Sequence, residues 1–162
     1  MVDLLKIRQR RAFFDNYGSQ PTEQAARLPS RGILFSCPCC GYPTLAGRGT
    51  DEICELCWWE DDGQDDDQAD EVWGGPNGGY SLNDARENFQ LFGIKYAPQE
   101  DRRIGGLDGE TTRKIKAELI GAFEAIMKLP STDQLNEIWE QVRIMERALY
   151  KELKLSVKRS TS

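Results

Sequence analysis

Apolar residues recur at the spacing of an amphipathic helix in the second half of the chain. The first such set contains Leu82, Ala85, Phe89 and Phe92. Ser81 and Asp84 at its start resemble a capping box, and Gly93 offers a left-handed residue at its end. The pattern predicts one short helix that begins after Ser81 and ends before Gly93.

Two longer apolar stripes follow this helix. The first contains Ile115, Leu119, Ala122, Phe123, Ile126 and Leu129 and ends at Pro130. The second starts after Ser131-Thr132-Asp133 and contains Leu135, Ile138, Trp139, Val142, Met145, Leu149 and Leu153. The short connection at Pro130 predicts two antiparallel helices over residues 110–156. We interpret their apolar stripes as the core of a helical hairpin.

The remaining flanks are less regular. The N-terminal segment, residues 1–32, predicts a further helix that packs on the hairpin, with apolar residues Leu4, Leu5, Ile7, Phe13, Phe14 and Tyr17. Residues 94–109 contain Pro98 and Gly105-Gly106 among charged residues, which predicts a surface linker. Residues 157–162 are expected to form a frayed tail.

Five cysteines fall within 21 residues between these helical regions. Cys37 pairs with Cys40 and Cys54 with Cys57, each pair with two intervening residues, and thirteen residues separate the pairs. Zinc binds four thiolates in a tetrahedron, and each Cys-x-x-Cys turn delivers two of them. Gly41 follows the first pair, where the chain turns sharply and glycine takes positive φ without steric cost. The spacing predicts a zinc-ribbon β-hairpin with these four ligands, although iron accepts the same sulfurs.

Cys39 lies outside the two pairs. It is a candidate reactive thiol, but a buried or incidental cysteine is the simpler interpretation. Disulfides are an alternative to metal for the other four. The N-terminus lacks an apolar signal region and no stretch approaches the roughly 18 apolar residues of a membrane helix. We therefore expect a cytoplasmic protein, whose reduced thiols favour metal.

The residues around the cysteines carry a wider resemblance. CPCCGY occupies residues 37–42, CWWEDDGQD residues 57–65, and GGPNGGYSLNDAR residues 74–86. In this order they resemble the bacterial cysteine-rich CPCC family over about residues 33–93. The resemblance implies a small zinc-ribbon-like domain in a bacterial cytoplasm, and it supplies no catalytic residues. With the helical flanks, it predicts an α+β protein.

Charge is divided unevenly along the chain. Residues 33–80 contain eleven carboxylates and one basic residue, Arg48, whereas the whole chain has a net charge of −6. Such a field repels nucleic acid, because affinity for phosphates comes mainly from Lys and Arg. The run from Glu60 to Glu71 has no EF-hand register, which leaves only weak divalent binding open.

The same run is either a solvated loop or a docking face for a basic protein partner. As a docking face, it would use the candidate partner-binding residues Asp61, Asp62, Asp65, Asp66, Asp67, Trp58 and Trp59. Tryptophans next to the cysteines otherwise predict a small core packed against the metal site.

Enzyme chemistry has little support, because the chain has no histidine and four thiolates leave zinc no open position. The first hypothesis is a zinc-binding protein-interaction module, for example a toxin-neutralising immunity protein. The second is a thiol-based redox or zinc-release switch that uses Cys39. A hydrolase with an unrecognised carboxylate pair is the third. No membrane partner is expected, and the oligomeric state stays open.

Overall fold

The computed structural model describes residues 2–18, 34–129 and 132–161. These residues form two compact units: residues 2–18 with 34–100, and residues 101–129 with 132–161. Four α-helices and one pair of antiparallel strands are present in the part of the chain described. The predicted α+β class is confirmed. None of the helices described is long and apolar enough to cross a membrane.

The first unit is built on a very short hairpin. Strand β1 (Phe35–Ser36) pairs antiparallel with β2 (Pro43–Leu45). Helix α1 (Leu4–Gly18) lies against both strands and buries Ile7 and Phe14. The chain then forms three short 3-10 turns, Asp66–Gln68, Gly75–Asn77 and Pro98–Glu100. Because the strands have only two and three residues, backbone pairing alone supplies little stability here.

Helix α2 (Leu82–Phe92) has the predicted bounds. The Ser81 hydroxyl accepts from the Asp84 N–H at 3.0 Å, and the Asp84 carboxylate accepts from the Ser81 N–H at 2.9 Å. Gly93 ends the helix in the left-handed conformation, and its N–H bonds to the Phe89 carbonyl. The capping residues thus fix both ends of α2, as their order in the sequence indicated.

The second unit contains the predicted helical hairpin, formed by α3 (Glu110–Lys128) and α4 (Thr132–Thr161). Its core contains Leu119, Phe123 and Ile126 on α3 with Trp139, Val142 and Leu149 on α4. The Phe123 and Trp139 rings meet edge to face at 6.4 Å. Helix α4 continues to Thr161, so residues 157–161 are helical where a frayed tail was predicted. The Ser160 hydroxyl bonds to the Ser156 carbonyl within that last stretch.

The predicted linker, residues 94–109, divides between the two units. Ile94 and Lys95 are buried in the first unit. In the second unit, Arg103 binds Asp101 at 2.8 Å and Asp108 at 2.7 Å, and Lys116 binds Asp108 at 2.6 Å. This segment is therefore held by burial and ion pairs, which proline, glycine and charge in the sequence did not reveal.

Some predictions fall on residues outside the description. These are the N-terminal segment from residue 19 to 32, the side chain of Tyr17 and the turn at Pro130. The packing of α1 on the helical hairpin stays a prediction, whereas its packing on β1 and β2 was not anticipated.

Candidate metal centre

The first cysteine pair occupies the turn between β1 and β2. The Cys37 N–H donates to the Tyr42 carbonyl at 2.8 Å, and the Gly41 N–H donates to the Cys37 carbonyl at 2.8 Å. These bonds fold the chain into a tight loop that carries the sulfurs of Cys37 and Cys40. Gly41 has φ +81°, the left-handed conformation expected of a glycine at this position.

The second cysteine pair repeats this loop. The Cys54 N–H donates to the Trp59 carbonyl at 2.9 Å, and the Trp58 N–H donates to the Cys54 carbonyl at 2.8 Å. An isolated antiparallel bridge between Ile53 and Glu60 closes it. Each pair thus has a turn of its own, as the spacing predicted.

The two loops correspond residue by residue. Trp58 occupies the place of Gly41 and has φ +69°, a conformation that costs a residue with a side chain about 1 kcal/mol or more. Leu56 occupies the place of Cys39, and both side chains are fully buried. Burial also raises the pKa of the Cys39 thiol, although the Cys57 sulfur beside it opposes this. Cys39 therefore has the position and environment of a core side chain.

The two loops bring four sulfurs together. The Sγ atoms of Cys37 and Cys57 are 3.6 Å apart, and those of Cys40 and Cys54 are 3.8 Å apart. All four sulfurs lie within 4.8 Å of one another, and all four side chains are buried. Metal–sulfur bonds of about 2.3 Å in a tetrahedron place sulfurs about 3.8 Å apart, whereas a disulfide needs about 2.05 Å. The geometry fits a tetrahedral metal ion, and all five cysteines are free of disulfides.

The sulfurs receive hydrogen bonds from their surroundings. The buried Thr44 hydroxyl lies 3.0 Å from Cys54 Sγ, and the Trp59 N–H donates to Cys57 Sγ at 3.5 Å. Donors at sulfur reduce the negative charge that four thiolates concentrate in one place. Thr44 was missed in the sequence because nothing in a single threonine ten residues from Cys54 marks it as a sulfur donor.

Four thiols packed this closely cannot all ionise without a cation. Burial raises the pKa of the Cys37, Cys40 and Cys57 thiols well above the ordinary range. Burial also opposes ionisation of Cys54, but hydrogen bonds from the other three cysteines outweigh it and lower the pKa of that thiol. A divalent metal would supply the positive charge that holds all four as thiolates.

Basic side chains surround the cysteine loops. Arg86 is buried and donates from Nε and Nη2 to the Pro38 carbonyl at 3.0 and 2.9 Å. Lys95 is also buried; its backbone N–H donates to the Cys57 carbonyl at 2.8 Å, and its Nζ donates to Asn77 Oδ1 at 2.9 Å. Burial lowers the pKa of Lys95, while Cys57 is the largest opposing influence. These charges would partly offset the formal −2 that a divalent ion with four thiolates would carry.

Three carboxylates of the acidic run bind arginines of the chain itself. Asp61 is fully buried, and its Oδ2 accepts from Arg48 Nε at 2.8 Å. Asp65 accepts from Arg11 Nη1 and Nη2 at 2.7 and 3.0 Å and from Arg48 Nη2 at 3.0 Å. Partial burial disfavours the ionised form of Asp65, but these arginines hold its pKa far below the ordinary value. Asp66 accepts from Arg86 Nη2 at 2.5 Å.

The candidate partner-binding residues therefore divide into two groups. Asp61, Asp65 and Asp66 bind arginines of the same chain, and Trp59 is fully buried. Asp67 is exposed, while Asp62 and Trp58 are half-buried. The predicted face is therefore not a continuous row of free carboxylates, because its charges are partly used in folding. The arginines responsible were missed because Arg11 lies 54 residues from Asp65 in sequence.

Comparison with known proteins supports the resemblance noted in the sequence. A family model described as Cysteine-rich CPCC matches residues 35–103. This range includes all five cysteines, the acidic run and α2, and it extends beyond residue 93, where the resemblance was placed. No curated protein and no solved structure matches the chain significantly.

Proposed function

We propose that the first unit is a zinc-stabilised module in which the metal has a structural role. The observation that carries the proposal is the set of four buried sulfurs at separations suited to one tetrahedral ion. Four thiolates fill the coordination shell of zinc, and the chain has no histidine to act as a general base. A module of this kind fits the reducing cytoplasm, where thiols persist.

The finer proposal is that this module binds another protein. The supporting surface, which we term the acidic–aromatic edge, consists of Asp67, Asp70, Glu71, Val72 and Trp73, all exposed. Val72 and Trp73 are 57% and 46% exposed, so two adjacent large apolar side chains lie at the surface beside the carboxylates. None of the three carboxylates forms an ion pair with another described residue, in contrast to Asp61, Asp65 and Asp66.

The chemistry of this edge favours a partner segment with basic residues around an apolar anchor. Trp73 offers a large rigid contact surface, of the type that dominates binding energy at protein interfaces. The neighbouring carboxylates attract a basic partner and speed its association. An antagonist of a basic protein, such as a toxin-neutralising immunity protein, is one form that this function can take.

A pull-down from the native host with the full-length protein tests the interaction. The test variant carries Asp67→Asn, Asp70→Asn, Glu71→Gln and Trp73→Ala. A matched control removes three exposed carboxylates of the helical hairpin through Glu118→Gln, Glu137→Gln and Glu140→Gln. We expect one stoichiometric partner that the wild type and the control retain and the test variant loses. Equal retention of the partner by both variants would refute the proposal that the acidic–aromatic edge binds it.

The second candidate function is the redox or zinc-release switch that uses Cys39. The observation in its favour is that the Cys39 side chain lies beside the sulfur of Cys57, so oxidation could join the two. Full burial of Cys39 opposes this function, because reactive thiols are exposed and ionised. Titration with peroxide tests the switch: zinc release with a Cys39 disulfide at low oxidant supports it, and an inert site excludes it.

A further inference from the structure

Helix α1 contacts the first cysteine loop on both sides. The Asp15 carboxylate accepts from the N–H of Ser36 at 2.9 Å and from its hydroxyl at 2.8 Å, immediately before Cys37. At the other end of the loop, Arg10 Nη1 donates to the Cys40 carbonyl at 3.3 Å. The Arg10 guanidinium also lies over the Tyr42 ring, 4.6 Å from its centroid. The helix therefore recognises the folded shape of this loop rather than one side chain.

The approach of α1 is closest at Gly41. A Cβ atom at this position would lie 3.0 Å from Arg10 Cβ and 3.2 Å from the Ile7 carbonyl oxygen. Gly41 is thus needed for a second reason besides its φ of +81°, because a side chain would push α1 away. Only a loop with this turn at Gly41 allows the helix to pack so closely against the loop backbone.

Helix α1 also binds the acidic run. Arg11 makes a two-point contact with Asp65 at 2.7 and 3.0 Å and a further contact with Asp66 at 3.3 Å. Asp66 in turn accepts from Arg86, which holds the Pro38 carbonyl inside the first cysteine loop. Loop, acidic run and helix are therefore joined in one network. Part of the acidic run therefore binds a basic partner within the same chain, which is helix α1.

The packing surface for α1 depends on the cysteine loop keeping its shape. Strands β1 and β2 pair over only two or three residues, which is too little to hold the turn by itself. A structural zinc ion that joins the loops supplies about 10 kcal/mol or more, and this free energy is also folding free energy. The packing surface for α1 should then form when the metal binds and be lost when the metal leaves.

From these contacts we infer that α1 is a metal-dependent latch: zinc bound at the four cysteines seats the helix, and metal loss releases it. The inference rests on the proposed zinc site. Release would expose the apolar side chains Ile7 and Phe14, which the seated helix buries, together with the basic side chains Arg10 and Arg11. Metal binding would thereby control whether a basic segment with apolar side chains is available to other molecules.

Because coupling between two sites is reciprocal, contacts of α1 that zinc binding strengthens must in turn strengthen zinc binding, so weakening these contacts should lower the affinity for zinc. We choose Arg11→Ala and Asp15→Asn, which remove the ion pairs of Arg11 and weaken the hydrogen bonds to Ser36 without altering a cysteine. The matched control is Lys6→Ala, since Lys6 is a basic residue of the same helix but is exposed and pairs with Asp3, at 3.6 Å, rather than with the cysteine loop or the acidic run. Zinc affinity of the full-length proteins is measured by competition with a chromophoric chelator. We expect about a 10-fold loss for Arg11→Ala with Asp15→Asn and no change for the control.

Hydrogen exchange of the full chain gives the second readout. We expect amides of residues 4–16 to be protected with zinc and to lose at least about 100-fold of that protection after chelation, which corresponds to about 2.7 kcal/mol. Amides of α2, in the same unit, serve as the internal control and should lose less protection than residues 4–16. An equal loss in both would mean that the whole unit unfolds and would overturn the latch. Amides of α3 and α4, in the second unit, should stay protected.

The outcomes separate the latch from the metal site. Wild-type affinity for zinc in Arg11→Ala with Asp15→Asn, or unchanged protection of residues 4–16 after chelation, would overturn the latch and leave the zinc site intact. A wild-type protein that binds no zinc would overturn the metal site and the latch with it.

Discussion

Replacing Gly41 with alanine tests the architecture of the first cysteine loop. Its φ of +81° costs an alanine about 1–2 kcal/mol. The added Cβ must also displace Arg10 Cβ at 3.0 Å and the Ile7 carbonyl at 3.2 Å, and overpacking of this kind costs about 1–3 kcal/mol. Together these effects predict that Gly41→Ala lowers the free energy of unfolding of the first unit by about 2–5 kcal/mol.

The matched control is Gly93→Ala at the end of α2. Gly93 has a similar φ of +73°, but a Cβ added there meets nothing within 4 Å. It should lose only the conformational part, about 1–2 kcal/mol. Stability is measured by denaturant unfolding with saturating zinc, followed by tryptophan fluorescence in a Trp139→Phe background. That background leaves Trp58, Trp59 and Trp73, all in the first unit. Equal losses for the two variants would refute the close approach of α1 at Gly41.

Three further predictions follow from the same structure. Cys54→Ser should lose the metal and unfold the cysteine loops, and Cys39→Ser should keep the metal; elemental analysis measures the metal content. Metal loss in Cys39→Ser but not in Cys40→Ser would show that the ligand set is wrong. In the second unit, burial opposes the Asp108 carboxylate, but Lys116 outweighs it and lowers the pKa of Asp108. The stabilisation from this ion pair is therefore complete above pH ~4 and declines as the pH falls below that value. Asp108→Asn should lower the free energy of unfolding by ~3 kcal/mol at pH 7 and by progressively less at lower pH, as measured by thermal unfolding. A difference that does not change with pH would contradict this. Mild peroxide should leave zinc bound, because Cys39 is buried. Release of zinc at low oxidant, monitored with a zinc indicator, would favour the redox switch that uses Cys39.

Features set by neighbouring residues could be predicted from the sequence. The ends of α2 follow from Ser81, Asp84 and Gly93, which act within one turn of the helix. The helical hairpin follows from apolar spacing, because its stripes pack against each other. The cysteine cluster follows from the spacing of the two pairs, since each turn fixes the positions of its own two sulfurs.

Features that depend on distant residues could not be predicted in this way. The charges of Asp65 and Asp66 suggested a free docking face, but Arg11 and Arg86 reach them from 54 and 20 residues away. The positive φ of Trp58 was also hidden, because tryptophan does not signal a left-handed turn. It becomes understandable only when the second loop is compared with the first. The tertiary contacts of the loop stabilise a conformation that local preference disfavours.

The packing of α1 shows the same limitation. Its apolar residues indicated a helix with a buried side, but they did not identify the surface that covers it. Besides the burial of Ile7 and Phe14, polar contacts place it on β1 and β2, and these involve backbone groups of the cysteine loop, such as the Cys40 carbonyl. Backbone groups are the same in every sequence, so no pattern of side chains predicts such a contact.

The most direct test of the central claim is X-ray absorption at the metal edge of the purified full-length protein, combined with its metal content. The account predicts one zinc ion per chain with four sulfur neighbours at about 2.3 Å, and the same spectrum for Cys39→Ser. Substoichiometric metal, or a shell in which nitrogen or oxygen replaces a sulfur, would contradict a centre formed by Cys37, Cys40, Cys54 and Cys57.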